Sequence, residues 1–215
     1  MIGGTRASGA RRTAGKGRSR RAEATRKSGD ERWAELLQVA AKTFASKGYS
    51  ATTLQGIAND LGMLKGSLYY YIRTKEDLLF EVIQAVLVLA EERLSERVPV
   101  DGPAVERLEA LVREHVVFLI EHLTETTVYL HEADQLSPER RAELPVHGFI
   151  ARLEGLVVEG QEDGTIRADV DPRMGALVIL GSANWVYRWY RPEGDLAPEE
   201  IADEIARTCR RSVEA

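Results

Sequence analysis

The stretch from Thr53 to Ile72 constrains the fold of this chain more than any other part of the sequence. Its first half carries apolar residues at helical spacing, namely Leu54, Ile57, Ala58 and Leu61. Gly62 then supplies a left-handed turn that ends a helix, and a second short helix is predicted from about Leu64 to Ile72. Two short helices joined in this way pack at a steep angle, and the second fits a DNA major groove about 12 Å wide. The sequence therefore predicts a helix-turn-helix that binds duplex DNA.

Capping boxes frame this motif on both sides. Ser28 and Glu31 predict the start of a preceding helix. The apolar face of that helix consists of Trp33, Leu36, Leu37, Ala40, Ala41 and Phe44. Thr74 and Asp77 form a second capping box, which predicts a long helix over residues 75–97. The motif thus lies between two helices that can pack against it.

Proline and glycine breaks divide the rest of the chain into further helical segments. We predict helices over residues 103–124, 126–135, 138–160, 172–190 and 197–212. The helix over 138–160 is expected to break or bend near Pro145. No segment has a strand pattern, so the predicted fold class is all-α. The predicted divisions are a disordered basic tail (1–28), a three-helix helix-turn-helix DNA-binding domain (29–74), and a larger helical ligand-binding and dimerisation domain (75–215).

Charge is distributed unevenly along the chain. Residues 1–30 contain nine Arg or Lys and two acidic residues, whereas the chain after residue 80 contains 14 basic and 27 acidic residues. The N-terminal end is therefore attracted to nucleic acid and the rest is repelled by it. Two interpretations of the tail stay open. It is a solvated leader that raises non-specific affinity, or an arm that enters the minor groove through Arg18, Arg20 and Arg21.

The second helix of the motif has an inner and an outer side. Leu68 points to the core, together with one edge of Tyr71 and of Ile72. The residues predicted to face outward are Lys65, Ser67, Tyr69 and Tyr70, and the bare backbone at Gly66 allows close approach to the duplex. The alternative is that the three tyrosines merely pack a small helical core, and for Tyr71 the two interpretations stay open.

This region resembles the signature of the TetR family of transcriptional repressors. The matching residues are Thr52-Thr53, Ile57-Ala58, Leu61-Gly62, Lys65-Gly66-Ser67-Leu68-Tyr69-Tyr70-Tyr71 and Lys75-Glu76-Asp77-Leu78-Leu79. The resemblance implies a homodimer that binds a palindromic operator. It also implies that Thr52, Thr53 and Lys75 hold phosphates, and that Lys65, Gly66, Ser67, Tyr69 and Tyr70 contact bases and backbone. The chain departs from the family pattern at Leu64, where a capping Ser or Thr is usual, and at Ile72, where Phe is usual.

The C-terminal third carries a second, shorter resemblance. The segment from Asn184 to Gly194, with its Trp-rich centre, is similar to that of family members that respond to fatty acyl-CoA and related CoA thioesters. This implies a small-molecule effector of the acyl-CoA class, bound in the body of the protein. The family resemblance further implies that the last two long helices form a four-helix bundle with their copies in a partner subunit. The alternative effector is a drug-like or aromatic compound, with the protein regulating an efflux pump or another operon.

An acyl-CoA site needs an apolar tunnel and cations for the phosphates. The residues predicted to line the tunnel are Val117, Phe118, Tyr129, Phe149, Leu153 and Trp185. Arg152 or Arg188 is predicted to bind the phosphates. The alternative is that each of these apolar residues only packs in the hydrophobic core.

Other classes of protein are disfavoured. Cys209 is the only cysteine, which rules out an internal disulfide and fits a reducing cytoplasm, the predicted location. No apolar run is long enough to span a membrane. No nucleophile–base pair or carboxylate dyad indicates an enzyme, and no cofactor is predicted. His115, His122, His131 and Glu132 could in principle bind a metal, but we interpret them as polar lining of a pocket.

Overall fold

The computed structural model describes the backbone of residues 14–145 and 147–215 and the side chains of residues 29–64, 66–145 and 148–215. The described part is all-α, as predicted, and its only extended pairing is an isolated bridge between Ile166 and Glu214. The α-helices are α1 (Ala14–Lys47), α2 (Leu54–Asp60), α3 (Lys65–Leu68), α4 (Lys75–Arg97), α5 (Ala104–Glu121), α6 (Leu123–Glu132), α7 (Pro138–Ala142), α8 (His147–Glu162), α9 (Pro172–Asn184), α10 (Val186–Trp189) and α11 (Pro198–Val213). A 3-10 turn, Ala133–Gln135, follows α6.

The start of α1 differs from its prediction. The helix begins at Ala14 rather than at Ser28, so residues 14–28 are helical and the disorder predicted for them is wrong. Ala, Arg and Lys dominate this segment, and their high helix propensity lets the helix extend towards the N-terminus. Residues 1–13 of the predicted tail, and the side chains of the three arginines proposed as a minor-groove arm, lie outside the described residues.

Two further helices are shorter than predicted. α3 ends at Leu68, although the backbone N–H groups of Tyr71 and Ile72 still donate to the Leu68 carbonyl at 3.0 and 3.1 Å. Aromatic residues have modest helix propensity, and Thr74 already caps the next helix, so the chain turns here. The helix predicted over 172–190 is divided into α9 and α10 at Trp185. The break predicted near Pro145 is confirmed between α7 and α8.

One hydrophobic core joins α1, α2, α3 and the first half of α4. Its centre consists of the fully buried side chains of Leu36, Phe44, Ile57, Leu68 and Leu79. These residues belong to the apolar faces that helical spacing predicts. The core fixes α2 and α3 against the longer helices, and it therefore decides which side of α3 stays outside.

A second core surrounds α5. This helix packs along α11 and also contacts α8, α9 and α4. Its buried side chains include Leu108, Leu111, Val112, Val116 and Leu119. Helix α4 contributes to both cores, with Leu79 in the first and Leu94 in the second. A shift of α4 is therefore transmitted to both parts of the molecule.

Candidate nucleic-acid interface and internal cavity

Local hydrogen bonds position α2 and α3. Thr53 caps α2, and its hydroxyl accepts the backbone N–H of Gly56 at 3.1 Å. Gly62 has a φ of +63°, the left-handed conformation predicted for the turn between the two helices. Leu68 is completely buried and anchors α3 to the core. The opposite side of α3 consequently faces outward.

We call this outward side, with the start of α2, the α3 surface. Its exposed residues are Thr53, Leu64, Gly66, Ser67, Tyr69 and Tyr70. Tyr70 is 86% exposed and Tyr69 is 46% exposed. A Cβ atom at Gly66 would meet nothing within 4 Å, so the backbone there is open to close approach. Lys65 is the first residue of α3, and its side chain is outside the described part.

The three consecutive tyrosines have different surroundings. Tyr71 stacks on Trp33 of α1, with ring centroids 6.2 Å apart and an interplanar angle of 24°. The edge of the Tyr70 ring meets Tyr71 at a centroid distance of 5.2 Å. The core-packing interpretation therefore applies to Tyr71, while Tyr69 and Tyr70 remain on the surface with hydroxyls that can bind phosphate oxygens.

Two residues predicted to hold phosphates have partners inside the protein. Thr52 is only 3% exposed, and its hydroxyl donates to the carbonyl of Gly48 at 2.8 Å. Lys75 Nζ donates to the carbonyls of Tyr49 and Thr52 at 2.7 and 2.9 Å, and lies 4.1 Å from the centroid of the Tyr49 ring. The Thr52 hydroxyl is buried and bonded to Gly48, and the phosphate contacts of Thr52 and Lys75 stay predictions. In this structure both residues stabilise the loop that positions Thr53.

An internal cavity lies between α4, α5, α6, α8 and α9. It consists of a larger chamber of about 260 Å³ and a smaller chamber of about 50 Å³. The residues that line both chambers are Leu87, Ala90, His115, Tyr129 and Asn184. The other walls are mostly apolar. Such a cavity suits an apolar group that makes a few polar contacts.

His115 and Asn184 form the polar centre of this cavity. Nε2 of His115 lies 2.8 Å from Oδ1 of Asn184, and the imidazole packs on the ring of Phe149 at a centroid distance of 4.3 Å. Burial lowers the pKa of His115, although the hydrogen bond to Asn184 acts in the opposite direction. Burial also raises the pKa of the Tyr129 hydroxyl. The His115 imidazole and the Tyr129 hydroxyl are therefore neutral near pH 7. Together with the Asn184 amide they provide uncharged hydrogen-bonding groups.

The aromatic residues predicted to line a tunnel divide into two groups. Phe118 lines the smaller chamber, Phe149 lines the larger one and Tyr129 lines both. Trp185, in contrast, is 59% exposed and is absent from the cavity wall. Helix α9 ends at Asn184, whose side chain faces the cavity, and the next side chain, that of Trp185, faces outward. Within one chain Trp185 therefore does not line the cavity, contrary to the prediction.

The remaining predicted ligand residues lie elsewhere. Val117 and Leu153 are buried in the core around α5. Arg188 is exposed on α10 and does not line the cavity. Arg152 lies behind the wall of the larger chamber, where its Nη1 is 3.5 Å from Oε1 of Glu91. Asn184 was not predicted as a ligand residue, because its local sequence does not show which side of α9 faces the cavity.

The start of α4 is bonded to the segment that follows α6. Oε1 of Glu76 accepts the backbone N–H of Ser137 at 2.8 Å, and Nη2 of Arg140 donates to Oδ1 of Asp77 at 2.6 Å. We call these two contacts the α4 latch. Pro145, which follows α7, lines the larger chamber. The latch thus connects the cavity wall to the helix that begins next to the α3 surface.

The candidate metal ligands have other partners. The His122 ring packs on Phe118 at a centroid distance of 4.4 Å, and Nε2 of His131 lies 3.0 Å from the Tyr187 hydroxyl. Among the described residues, no three His, Cys, Asp or Glu side chains are grouped closely enough to hold a metal ion. None of the helices in the described ranges is long and apolar enough to cross a bilayer.

Two family models together match most of the chain. The model described as "Bacterial regulatory proteins, tetR family" matches residues 36–82, and the model described as "Tetracyclin repressor-like, C-terminal domain" matches residues 101–213. The chain belongs to the TetR family of transcriptional regulators. It is therefore a DNA-binding regulator rather than an enzyme, and α2 and α3 are its helix-turn-helix.

Relatives of this TetR-family regulator include a named repressor and a named regulator of metabolism. The HTH-type transcriptional repressor KstR2 of Mycolicibacterium smegmatis is 30% identical over 179 residues, which cover 79% of this chain and 84% of the relative. The fatty acid metabolism regulator protein of Bacillus subtilis is 25% identical, with 70% of this chain and 79% of the relative covered.

Solved structures show the same fold. The structure of AibR in complex with isovaleryl coenzyme A and operator DNA has a TM-score of 0.76 and 34% identity, and the match covers 82% of this chain and 97% of AibR. The structure of the ketosteroid transcriptional regulator KstR2 of Mycobacterium tuberculosis has a TM-score of 0.79 and 27% identity, with 86% and 95% covered.

Proposed function

We propose that this TetR-family regulator is a cytoplasmic transcriptional repressor that a CoA thioester releases from a palindromic operator. The observation that carries the proposal is the mainly apolar cavity with His115 and Asn184 at its centre, built against α4. The Asn184 amide and the Tyr129 hydroxyl are donors suited to a thioester carbonyl, and the apolar walls suit an acyl chain. The AibR structure, which contains isovaleryl coenzyme A, supports this class of effector.

The size of the cavity favours a compact acyl group. The larger chamber, about 260 Å³, is small for a ligand site, since such sites typically measure about 300–1,000 Å³. A short or branched acyl chain fills it better than a long one. The nucleotide end of the thioester must then lie outside this chamber.

The α3 surface is the proposed operator-binding surface. Ser67, Tyr69 and Tyr70 provide hydroxyls, Gly66 allows close approach, and Lys65 supplies a cation at the start of α3. Thr53 adds a further exposed hydroxyl at the start of α2. We do not include Thr52, whose hydroxyl is buried, or Lys75, whose ammonium group is bonded to loop carbonyls.

The operator-binding surface is tested with a duplex from the regulator's own upstream region in a gel shift at low ionic strength. Tyr70→Ala should weaken binding by about tenfold, because it removes a contact without exposing the core. Leu196→Ala is the matched control, since Leu196 is also exposed, at 59%, but lies between α10 and α11. Equal binding by both variants and the unmodified protein would contradict the assignment of this surface.

We further propose that α9 and α11 form the homodimer interface. Large apolar side chains on α9 are exposed in a single chain, namely Met174, Leu177 and Val178. A groove beside them is lined by Ile205 and Thr208 of α11. Trp185 extends the same apolar region, and a partner subunit would cover it. Val178→Glu should therefore yield monomers in sedimentation velocity, whereas Val100→Glu, at a valine that is 77% exposed between α4 and α5, should stay dimeric.

Release from the operator follows from the position of α4. In the ligand-free dimer the two α3 helices would lie about 34–36 Å apart, one turn of the duplex. An effector in the cavity would press on Leu87 and Ala90 of α4 and shift its start, so that the two α3 surfaces no longer match successive grooves. The effector must prefer the shifted state, because equal affinity for both states changes nothing.

The effector is tested by fluorescence anisotropy of a labelled operator. Isovaleryl-CoA, octanoyl-CoA and free CoA are titrated against the full-length protein. Ala90→Phe fills the cavity and should keep operator binding while losing release by the thioester. Ala85→Phe is the control, because Ala85 is exposed on the same helix and does not line this cavity. Release by no thioester would overturn the proposed effector class.

The alternative effector is an aromatic or drug-like compound, with the regulator controlling an efflux pump or another operon. The rings of Phe118, Tyr129 and Phe149 on the cavity wall favour it, since aromatic ligands stack on such rings. Native mass spectrometry of the purified protein distinguishes the two, because a co-purified thioester and a co-purified aromatic compound differ in mass and fragmentation.

A further inference from the structure

We infer that a second cavity, next to the effector cavity, binds phosphate groups. It measures about 390 Å³ and lies between the end of α4, the first half of α5, and α8. Its polar lining consists of Arg107 of α5, Arg152 and Glu159 of α8, and Ser95 of α4. The assignment of these phosphates to the nucleotide end of a CoA thioester rests on the proposed function, whereas binding of an anion does not.

Both arginines have buried N–H groups without an acceptor in the described part of the chain. Arg107 donates through Nη1 to Glu159 at 2.6 Å, but its Nε is buried and unpaired. Arg152 donates through Nη2 to Ser95 at 3.3 Å, and its buried Nη1 is 3.5 Å from Glu91 without making a hydrogen bond. Buried donors without acceptors are unfavourable, so an entering anion with several oxygens would be stabilised here.

The carboxylates beside these arginines can be displaced. The Arg107 side chain is 22% exposed and its partner Glu159 is 52% exposed; the Arg152 side chain is 36% exposed and Glu91 is 44% exposed. The cations are therefore the more buried members of both pairs, and the carboxylates can turn towards water. A phosphate can then take their place, with the guanidinium groups binding two oxygens each.

The two cavities are separated by Glu91. This residue lines the larger chamber of the effector cavity, and Arg152, its ion-pair partner, lines the second cavity. Phe149 of the effector cavity and Gly148 of the second cavity are neighbours on α8. When Glu91 leaves Arg152, a single molecule can extend from one cavity into the other. An acyl group in the first and phosphates in the second match the two chemical halves of a CoA thioester.

Binding of inorganic pyrophosphate to the full-length protein tests the inference by isothermal titration calorimetry. We expect the double variant Arg107→Gln/Arg152→Gln to raise the dissociation constant by about tenfold or more. Gly155→Leu is a second variant that keeps both arginines: Gly155 lines this cavity and a Cβ there meets nothing within 4 Å, so leucine should block entry. Arg173→Gln is the control, because Arg173 pairs with Glu154 of α8 but lines neither cavity.

The basic N-terminal segment also attracts pyrophosphate, so the readout is the difference between variants that share this segment. Unchanged binding in the double variant or in Gly155→Leu, or an equal loss in Arg173→Gln, would overturn the inference. If these variants weaken pyrophosphate binding while no thioester releases the operator, the phosphate site stands and the proposed effector fails. If these variants weaken pyrophosphate binding while a thioester releases the operator equally from all of them, the phosphate site stands and its assignment to the nucleotide end of the thioester is wrong.

Discussion

Nη2 of Arg140 donates to Oδ1 of Asp77 at 2.6 Å, across 63 residues of sequence. The same carboxylate accepts the backbone N–H of Thr74 at 3.1 Å and completes the capping box of α4. Burial by itself would raise the pKa of Asp77, but hydrogen bonds from Thr74 and the Arg140 guanidinium outweigh it and lower the pKa. The guanidinium also lies 4.8 Å from the centroid of the Phe80 ring. One carboxylate therefore starts α4 and attaches it to α7.

Loss of this contact should destabilise the protein and loosen α4. Arg140→Gln is expected to lower the free energy of unfolding only modestly, since the pair is partly exposed and screened by solvent. Arg141→Gln is the matched control. Because Arg141 pairs with Asp134, which is 89% exposed, this variant should lose less unfolding free energy than Arg140→Gln. Urea denaturation measures both values. Equal losses in the two variants would contradict a special role for Arg140.

The lowered pKa of Asp77 also predicts a dependence on pH. A carboxyl group with a lower pKa in the folded state contributes stability above its ordinary pKa of 3.8, and this contribution disappears as the pH falls through the folded value. Asp77→Asn removes the charge and should flatten this acid-side part of the stability curve. Thermal unfolding below about pH 5 measures the difference, and parallel curves for the two proteins would contradict it.

His115 predicts a second dependence on pH, at higher values. Its pKa is lowered by burial, so below its ordinary pKa of 6.5 the unfolded chain takes up a proton that the folded protein does not. Stability should therefore fall as the pH falls below that value. His115→Gln places an amide next to Asn184 and should lose this part of the pH dependence of stability. Melting temperatures of the unmodified protein and of His115→Gln are compared between about pH 7.5 and pH 5. The other histidines are present in both proteins, so the difference reports on His115.

Thr52 and Ser67 should separate stability from operator binding. Thr52→Val removes the buried hydroxyl that donates to Gly48, and is expected to cost about 1 kcal/mol of unfolding free energy with operator affinity retained. Ser67→Ala changes an exposed position on the α3 surface and should weaken operator binding without a change in stability. Chemical denaturation and gel shifts on both variants measure the two effects. A Thr52→Val protein that is stable but does not bind the operator would instead support the phosphate contact predicted for Thr52.

Two glycines of α8 should respond in opposite ways to alanine. A Cβ at Gly160 would lie 2.6 Å from Cδ1 of Ile166, so Gly160→Ala forces the packed side chain to move. We expect Gly160→Ala to lower the free energy of unfolding by about 1–3 kcal/mol. Gly155→Ala meets nothing within 4 Å, and it should stabilise the helix by about 0.5–1 kcal/mol. Thermal unfolding of both variants shows whether each one is less or more stable than the unmodified protein. Similar decreases in stability for both would contradict the packing argument.

Features that depend on neighbours along the chain could be predicted from the amino-acid sequence. The capping box of Thr74 and Asp77 predicted α4 over 75–97, and the helix spans Lys75–Arg97. Gly62 predicted the left-handed turn, and Pro145 predicted the break before α8. Caps, turns and apolar periodicity are formed within three or four residues, so the local sequence contains the information that specifies them.

Where the polar side chains point, and what they bind, depends on the folded chain. Thr52 turns inward while Thr53 stays outside, and Asn184 enters the cavity while Trp185 next to it faces away. The partners of Arg140 and of the two arginines in the second cavity come from distant parts of the chain. Helical periodicity specifies which residues share a face, but which face meets which neighbour depends on packing across both cores, and only the folded chain brings those residues together.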